Sequence, residues 1–199
     1  MAFKLANISG KAALVKGEHY YDLKVISNDT FDEDTLNALN RLDELHELNG
    51  VLDKKTPTGL LGEAKIDAPI SSPKNCYAVG LNYRNHAEEA GMEIPNVPMI
   101  FTKHTSCLVG PHAEIEMRSD HVDYEAELVA VIGKSGKDIS AEDAWNHVAG
   151  LCVVQDISDL VVQFAAKPPQ CNLGKSFDTF GPMGPYLVSK PLLVGQKAS

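Results

Sequence analysis

The stretch Asp123-Tyr124-Glu125-Ala126-Glu127-Leu128-Val129-Ala130-Val131-Ile132-Gly133 decides how this chain is read. Its second half is a run of small and β-branched apolar residues closed by a glycine, which predicts a strand over residues 124–132. In a strand, residues two apart share a face. Glu125 and Glu127 therefore project together, while Tyr124, Ala126 and Leu128 face the other way. Two neighbouring carboxylates turned toward a core repel each other and lose hydration. A divalent cation would remove both costs, and a solvated strand face would avoid them. Either reading is open on this segment alone.

Three further segments carry chemically active side chains. An apolar strand over residues 151–155 runs into Gln155-Asp156-Ile157-Ser158, so Asp156 emerges where a core strand stops. Strand ends commonly present ligands; an Asp that caps a turn is the alternative. With Glu125 and Glu127 it would complete an all-carboxylate set suited to magnesium, manganese or calcium rather than zinc. Next, Gly174-Lys175-Ser176-Phe177-Asp178 has the end of a phosphate loop without its beginning, because position 169 is Pro169 instead of glycine. Lys175 either brings a cation to a substrate oxygen beside the metal or lies on the surface. Finally, in Gly80-Leu81-Asn82-Tyr83-Arg84-Asn85-His86-Ala87-Glu88-Glu89, one helical turn would place His86 and Glu89 on one side. A histidine oriented by a carboxylate is a candidate base for water; a loop histidine with acidic neighbours is the alternative.

Upstream, residues 3–26 read as short strands broken at Ser9-Gly10 and Lys16-Gly17. Leucines at 36, 39, 42, 45 and 48 mark a helix ending at Asn49-Gly50. A strict three-residue repeat drifts around a helix, so this one is expected to be short or bent. Residues 1–70 are read as a small N-terminal α/β domain, followed by a linker over residues 68–73 and a second unit over 72–199. Within that unit, strands are expected at 76–79 and 99–102, and a helix from an Ser140 N-cap to about residue 148. Residues 174–185 read as irregular loop, returning to a strand at 183–188.

Composition narrows the classes. The chain has 199 residues, 44% of them hydrophobic, and a net charge of −9. So acidic a surface disfavours nucleic acid and anionic membranes. No apolar run reaches the roughly 18 residues needed to cross a bilayer. Residues 1–10 lack the apolar core of a signal peptide, so a cytoplasmic location is expected. Four cysteines form no C-x-x-C pair, and Cys152 reads as a buried small hydrophobe.

Taken in order, these motifs resemble the fumarylacetoacetate hydrolase family over about residues 72–188. The matching stretches are residues 79–89, 123–133, 150–163 and 173–185, the last with Gly-Lys-Ser-Phe-Asp-Thr-Phe-Gly-Pro. The resemblance implies an α+β, mostly β fold, a mixed β-roll around the active site, in a homodimer. It implies that Glu125, Glu127 and Asp156 bind magnesium, manganese or calcium, that Lys175 lies beside metal and substrate, and that His86 and Glu89 belong to a lid. Gln163 fits the family pattern for substrate binding. Members cleave carbon–carbon bonds of acylpyruvates and related dioxo acids, decarboxylate oxaloacetate, or isomerise and hydrate catechol-pathway acids. Two departures stand out. Leu160 replaces an arginine that helps hold substrate in many members. The family domain also normally runs on past the Gly-Pro loop, whereas this sequence ends at Ser199, which reads as a C-terminally truncated member. A metal-dependent hydrolase acting on small 2-oxo acids is therefore expected. A decarboxylase, an isomerase or a non-catalytic metal-binding remnant is the alternative.

Overall fold

A computed structural model describes residues 2–89, 91 and 93–190, with the side chain of His86 left out. Three strands open the chain: β1 (Lys4–Ile8), β2 (Lys11–Lys16) and β3 (His19–Asp22). Two-residue turns join them. Ser9 and Gly10 both have positive φ, of 52° and 85°, and Gly17 has a φ of 60°. Such turns match the right-handed twist of the flanking strands. The strand expected to continue to residue 26 stops at Asp22, whose carboxylate accepts from Val25 N at 3.2 Å and starts α1 (Leu23–Ile26). The leucine-rich stretch is two helices, α2 (Thr35–Leu39) and α3 (Leu42–Gly50), broken at Asn40-Arg41 as the drifting repeat predicts.

Two short strands follow, β4 (Gly59–Leu60) and β5 (Ile66–Asp67), then β6 (Tyr77–Gly80), α4 (Arg84–Glu89) and β7 (Met99–Thr102). Next come β8 (Leu108–Val109), β9 (Val122–Asp123) and β10 (Ala126–Ile132). Ser140 caps α5 (Ala141–Ala144) as expected, but the helix tightens into a 3₁₀ turn over Trp145–His147 instead of reaching residue 148. The chain ends its described part with β11 (Val148–Gln155), β12 (Ser158–Asp159), α6 (Leu160–Gln163), α7 (Cys171–Gly174) and β13 (Gly181–Ser189).

The architecture is α+β and dominated by one sheet in the order β10-β11-β13-β1-β2-β3-β4, with β5 and β8 attached at its side. This sheet crosses the division drawn between residues 1–70 and 72–199. Lys4 and Leu5 of β1 pair antiparallel with Val188 and Leu187 of β13. Phe3 N donates to Ser189 Oγ at 2.7 Å. The packing is shared as well. Phe3, Leu5, Leu14, Leu23 and Leu45 form one apolar cluster with Val131, Cys152, Val154, Met183 and Leu187. Ala6, Ile8, Ala13 and Val15 alternate with the first set and fill a second cluster on the opposite face. Strands buried on both faces read as continuous apolar runs, and β2 does over residues 12–15, whereas in β1 the run is interrupted by the buried Asn7, whose Nδ2 donates to Ala68 O at 3.1 Å. Cys152 is buried as expected, and burial pushes its thiol up to about 11.

The strand expected at 183–188 is β13 and starts two residues earlier, so Gly181 and Pro182 belong to it instead of to the loop. Its prolines sit where the ladder tolerates them. Pro182 lies in the parallel pairing with β8, and Pro185 falls where the register with β11 slips between Leu151 and Val153. A proline has no N–H to give, so an irregularity of this kind is where a strand accepts it. At Gly150, β11 comes so close to β13 that an added Cβ would meet Val188 O at 2.3 Å.

Candidate active site

β10 and β11 pair in register, Ala126 with Gln155 and Glu127 with Val154. One residue beyond the ladder, Asp156 N donates to Glu125 O at 2.8 Å. The two strand ends therefore deliver Glu125, Glu127 and Asp156 to one region. The alternation along β10 is inverted from that of a surface strand. Leu128 and Ile132 are exposed, while Val131 is buried and Glu127 lies partly buried on its side of the sheet. The carboxylates thus face inward.

Cations meet them there. Lys175 Nζ lies 3.0 Å from Glu125 Oε1 and 2.8 Å from Asp156 Oδ2. Lys103 Nζ lies 2.6 Å from Asp156 Oδ1 and also donates to the carbonyl oxygen of Lys175. Both lysine side chains and that of Asp156 are nearly inaccessible, at 5%, 5% and 7% exposure. Burial opposes the charge of Lys175, but the Asp156 and Glu125 carboxylates outweigh it and hold the ammonium above its ordinary range. Lys175 Nζ also stands 5.9 Å from the centre of the Phe101 ring. Among the described residues no lysine forms an ion pair with Glu127; Asn82 Nδ2 donates to its Oε2 at 3.4 Å, and Lys175 acts on it from a distance. Burial pushes the Glu127 carboxyl upward, the Asn82 bond resists, and the neighbouring Glu125 and Asp156 charges push it further up.

That direction gives an expected result. A raised carboxyl favours the folded state only while protonated, so its penalty appears as pH rises through the folded pKa and vanishes below the unfolded one. Glu127→Gln should raise the melting temperature of chelator-treated protein at neutral pH, and the gain should shrink to nothing in acid below the ordinary carboxylate range. Thermal melts of both proteins across pH check it, and a variant less stable at neutral pH would show that Asn82 and the lysines more than offset burial.

The geometry that holds Lys175 is local and tight. Gly174 ends α7 against α6, and a Cβ there would lie 2.8–2.9 Å from Gln163 Cβ, Cα and N. Gln170 N donates to Gln163 O at 2.8 Å and locks the same contact. Gln163 itself is buried. Its Nε2 reaches Cys171 Sγ at 3.8 Å and its Oε1 has no hydrogen-bond partner among the described residues. Leu160 begins α6, capped by Asp159 through Val162 N at 3.0 Å.

Of the residues read from sequence, Glu125, Glu127, Asp156 and Lys175 come together. Glu89 is exposed on α4, and no contact among the described residues joins it to this cluster. The side chain of His86 lies outside the described residues. Lys103 and Asn82 were not anticipated. Each lies far in sequence from its partner, and the only local hint at Lys103 is a lysine set directly behind the apolar strand β7.

The donor chemistry suits a hard divalent ion, since it offers three carboxylates and one of them lacks a cationic partner. Among the described residues, however, no group of three or more His, Cys, Asp or Glu side chains converges as an ion-holding cluster. The Lys175 ammonium stands between Glu125 and Asp156 instead.

Residues 75–197 match the family described as fumarylacetoacetate (FAA) hydrolase C-terminal. A fumarylacetoacetate hydrolase domain-containing protein 2 homolog of Dictyostelium discoideum is 40% identical over 171 residues, 84% of this chain and 55% of that protein. The human mitochondrial oxaloacetate tautomerase FAHD2A is 46% identical over 130 residues, 64% of this chain and 41% of that protein. The chain thus spans about half the length of these relatives. The solved fumarylacetoacetate hydrolase of Exiguobacterium antarcticum superposes with a TM-score of 0.73 at 29% identity, covering 95% of this chain and 66% of that one. A maleylpyruvate hydrolase of Sphingobium sp. SYK-6, solved with manganese(II) and pyruvate, shares the fold at a TM-score of 0.75 and 21% identity, covering 94% and 67%.

Proposed function

The chain belongs to the fumarylacetoacetate hydrolase family, and from that premise we propose that it processes small 2-oxo or dioxo acids at a divalent-ion site built on Glu125, Glu127 and Asp156. The observation that carries this reading is the meeting of Glu125 and Asp156 with two buried ammoniums where β10 and β11 pair, with the half-buried Glu127 beside them. Burying so much charge is costly, and ionisable groups perturbed in this way cluster at functional sites. Magnesium or manganese at these carboxylates would supply a Lewis acid for the oxygens of a 2-oxo acid.

The chain's own groups supply the rest. Lys175 presents a fixed positive charge in a water-poor region, where a developing enolate would be stabilised. Phe101 and the walls around Lys103 keep that charge poorly solvated, which strengthens its field. In the hydrolytic version, His86 takes a proton from water, oriented by Glu89, and the water adds to the distal carbonyl before the carbon–carbon bond breaks. Tautomerisation is the second reading. It moves one proton between carbon and oxygen, so it needs a group that takes the carbon-bound proton but no attacking water. The name of the human relative favours it. A homodimer and a cytoplasmic location belong to the same proposal. No helix among the described residues is long and apolar enough to cross a membrane.

The test combines binding with turnover. Calorimetry with manganese(II) should give about one site, lost by at least roughly 100-fold in a Glu125→Ala, Glu127→Ala double variant. Purified protein should then turn over oxaloacetate by keto–enol exchange, or acetylpyruvate or fumarylpyruvate by cleavage, with manganese or magnesium present. Cleavage of an acylpyruvate favours the hydrolase, and exchange alone favours the tautomerase. Manganese binding without any turnover would leave the binding-only alternative, and unchanged binding in the double variant would refute the site.

A further inference from the structure

Lys103 has a place in the site that no motif assigned to it. Its Nζ reaches Asp156 Oδ1 at 2.6 Å and donates to the backbone carbonyl of Lys175. Its own N–H donates to Cys76 O at 3.0 Å, which anchors it to the start of the β6–β7 ladder. The next residue, His104, donates its N–H to Ser176 Oγ at 3.0 Å. Lys103 and His104 therefore stitch the end of β7 to the loop after α7, and Lys103 also ties that loop to the end of β11. Three chain segments distant in sequence meet on one ammonium.

The two lysines of the site differ in kind. Among the described residues, Lys175 Nζ donates its hydrogen bonds to side-chain carboxylates, those of Glu125 and Asp156. Lys103 binds one carboxylate oxygen and one main-chain oxygen, and is as buried as Asp156. An ammonium held by backbone cannot follow a substrate. It can fix the plane of the Asp156 carboxylate and the position of the Lys175 backbone together.

We propose that Lys103 is a positioning residue, holding Asp156 by Oδ1 and Lys175 by its carbonyl so that Asp156 Oδ2 and the Lys175 ammonium face the reaction space. This rests on the reading of Glu125, Glu127 and Asp156 as an ion site. It makes a prediction of opposite sign to plain electrostatics. A positive charge beside a cation site repels the cation, so removing a lysine that contributed only charge would tighten binding. Removing a lysine that orients a ligand weakens it, by roughly 10–100-fold for groups that brace metal ligands.

The experiment measures manganese(II) affinity by calorimetry, and the paramagnetic resonance spectrum of saturated protein, for the full chain and for Lys103→Met and Lys103→Gln. Circular dichroism first establishes that each variant is folded. The expected result is weaker binding in Lys103→Met, a smaller loss in Lys103→Gln, whose amide still donates, and an altered manganese spectrum in both. If Lys103→Met does not fold, the sign of the change in Lys103→Gln decides. Tighter or unchanged binding with an unaltered spectrum overturns the role of Lys103 and leaves the ion site standing. Failure of the unmodified chain to bind manganese overturns the ion site, and this inference with it.

Discussion

Asp156→Ala is expected to lower the melting temperature of the metal-free protein by roughly 6–20 °C. Asp156 is the shared partner of two ammoniums, Lys103 at 2.6 Å and Lys175 at 2.8 Å, and all three side chains are nearly inaccessible. Removing one partner of a buried ion pair costs about 3–5 kcal/mol, because the charge left behind has neither water nor counter-charge. Lys175 keeps Glu125, but that carboxylate is 31% exposed and more weakly coupled. Lys103 keeps only the carbonyl of Lys175. For a chain of this size each kcal/mol moves the midpoint by about 2–4 °C. Asp156→Asn, which still accepts one hydrogen bond, should lose less. Calorimetric melts in the presence of chelator measure the series. A midpoint within about 2 °C of the unmodified protein would mean that water reaches the two ammoniums and that the site is not the buried network described above.

Phe180→Ala should be comparably damaging, though the residue carries no charge. Phe180 is fully buried with Cys107 and Ile157, and Leu108, Ile115, Val122 and Phe177 pack on this small cluster. Its ring meets Phe177 edge-on, with centroids 5.5 Å apart at 74°. Each charged segment of the site is rooted here. Ile157 follows Asp156, Cys107 lies four residues past Lys103, and Phe177 and Phe180 follow Lys175. Ile157 N also donates to Phe180 O at 3.2 Å. Deleting a buried phenyl ring costs about 3–5 kcal/mol, part of it for the cavity left behind. The expected result is a fall in melting temperature of roughly 6–20 °C, together with weaker manganese binding. Phe180→Leu, which keeps most of the volume, should recover most of both. If Phe180→Ala lost stability but kept its manganese affinity, the cluster would be shown to hold the fold without holding the site.

The parts of this molecule written in local pattern were legible in the sequence. The strand at 126–132 followed from its apolar run, the stop of β11 before Asp156 from the change to polar residues, and the break in the leucine helix from its three-residue period. Turn chemistry placed the first two hairpins. Legibility failed where the deciding partner is distant. Nothing near Pro182 indicates the parallel pairing with β8 that takes it into the ladder, so the strand expected at 183–188 starts two residues past Gly181, where β13 begins. Lys103 looked like any lysine after a strand, because its partners lie 53 and 72 positions away. A charge argument would have found it: three inward carboxylates need more than one cation, and a lysine flanked by Phe101 and the buried Cys107 is a natural second. The linker over residues 68–73 shows the converse failure. Its Pro and Ser composition is real, yet it says nothing about β1 joining β13 across it.

That pairing has a consequence for how the protein is made. β1 is made before every other described strand, yet one of its two long neighbours is β13, and Phe3 bonds Ser189 across 186 positions. At about 5–20 residues per second, β1 waits roughly 10–40 s for its partner. During that time β1, β2 and β3 can form hairpins and β5 can pair with Asn7 and Ile8, but Lys4 and Leu5 stay unpaired on the side that β13 later takes. Long-range closures of this kind slow folding and leave the nascent chain exposed to unwanted pairing. β11 docks on β13 as well, so the β10–β11 pair, at whose end Asp156 lies, is seated in the same late event. A newly made chain therefore acquires its stable core and its charged centre nearly together, and a cell that shields the first strand during synthesis protects both.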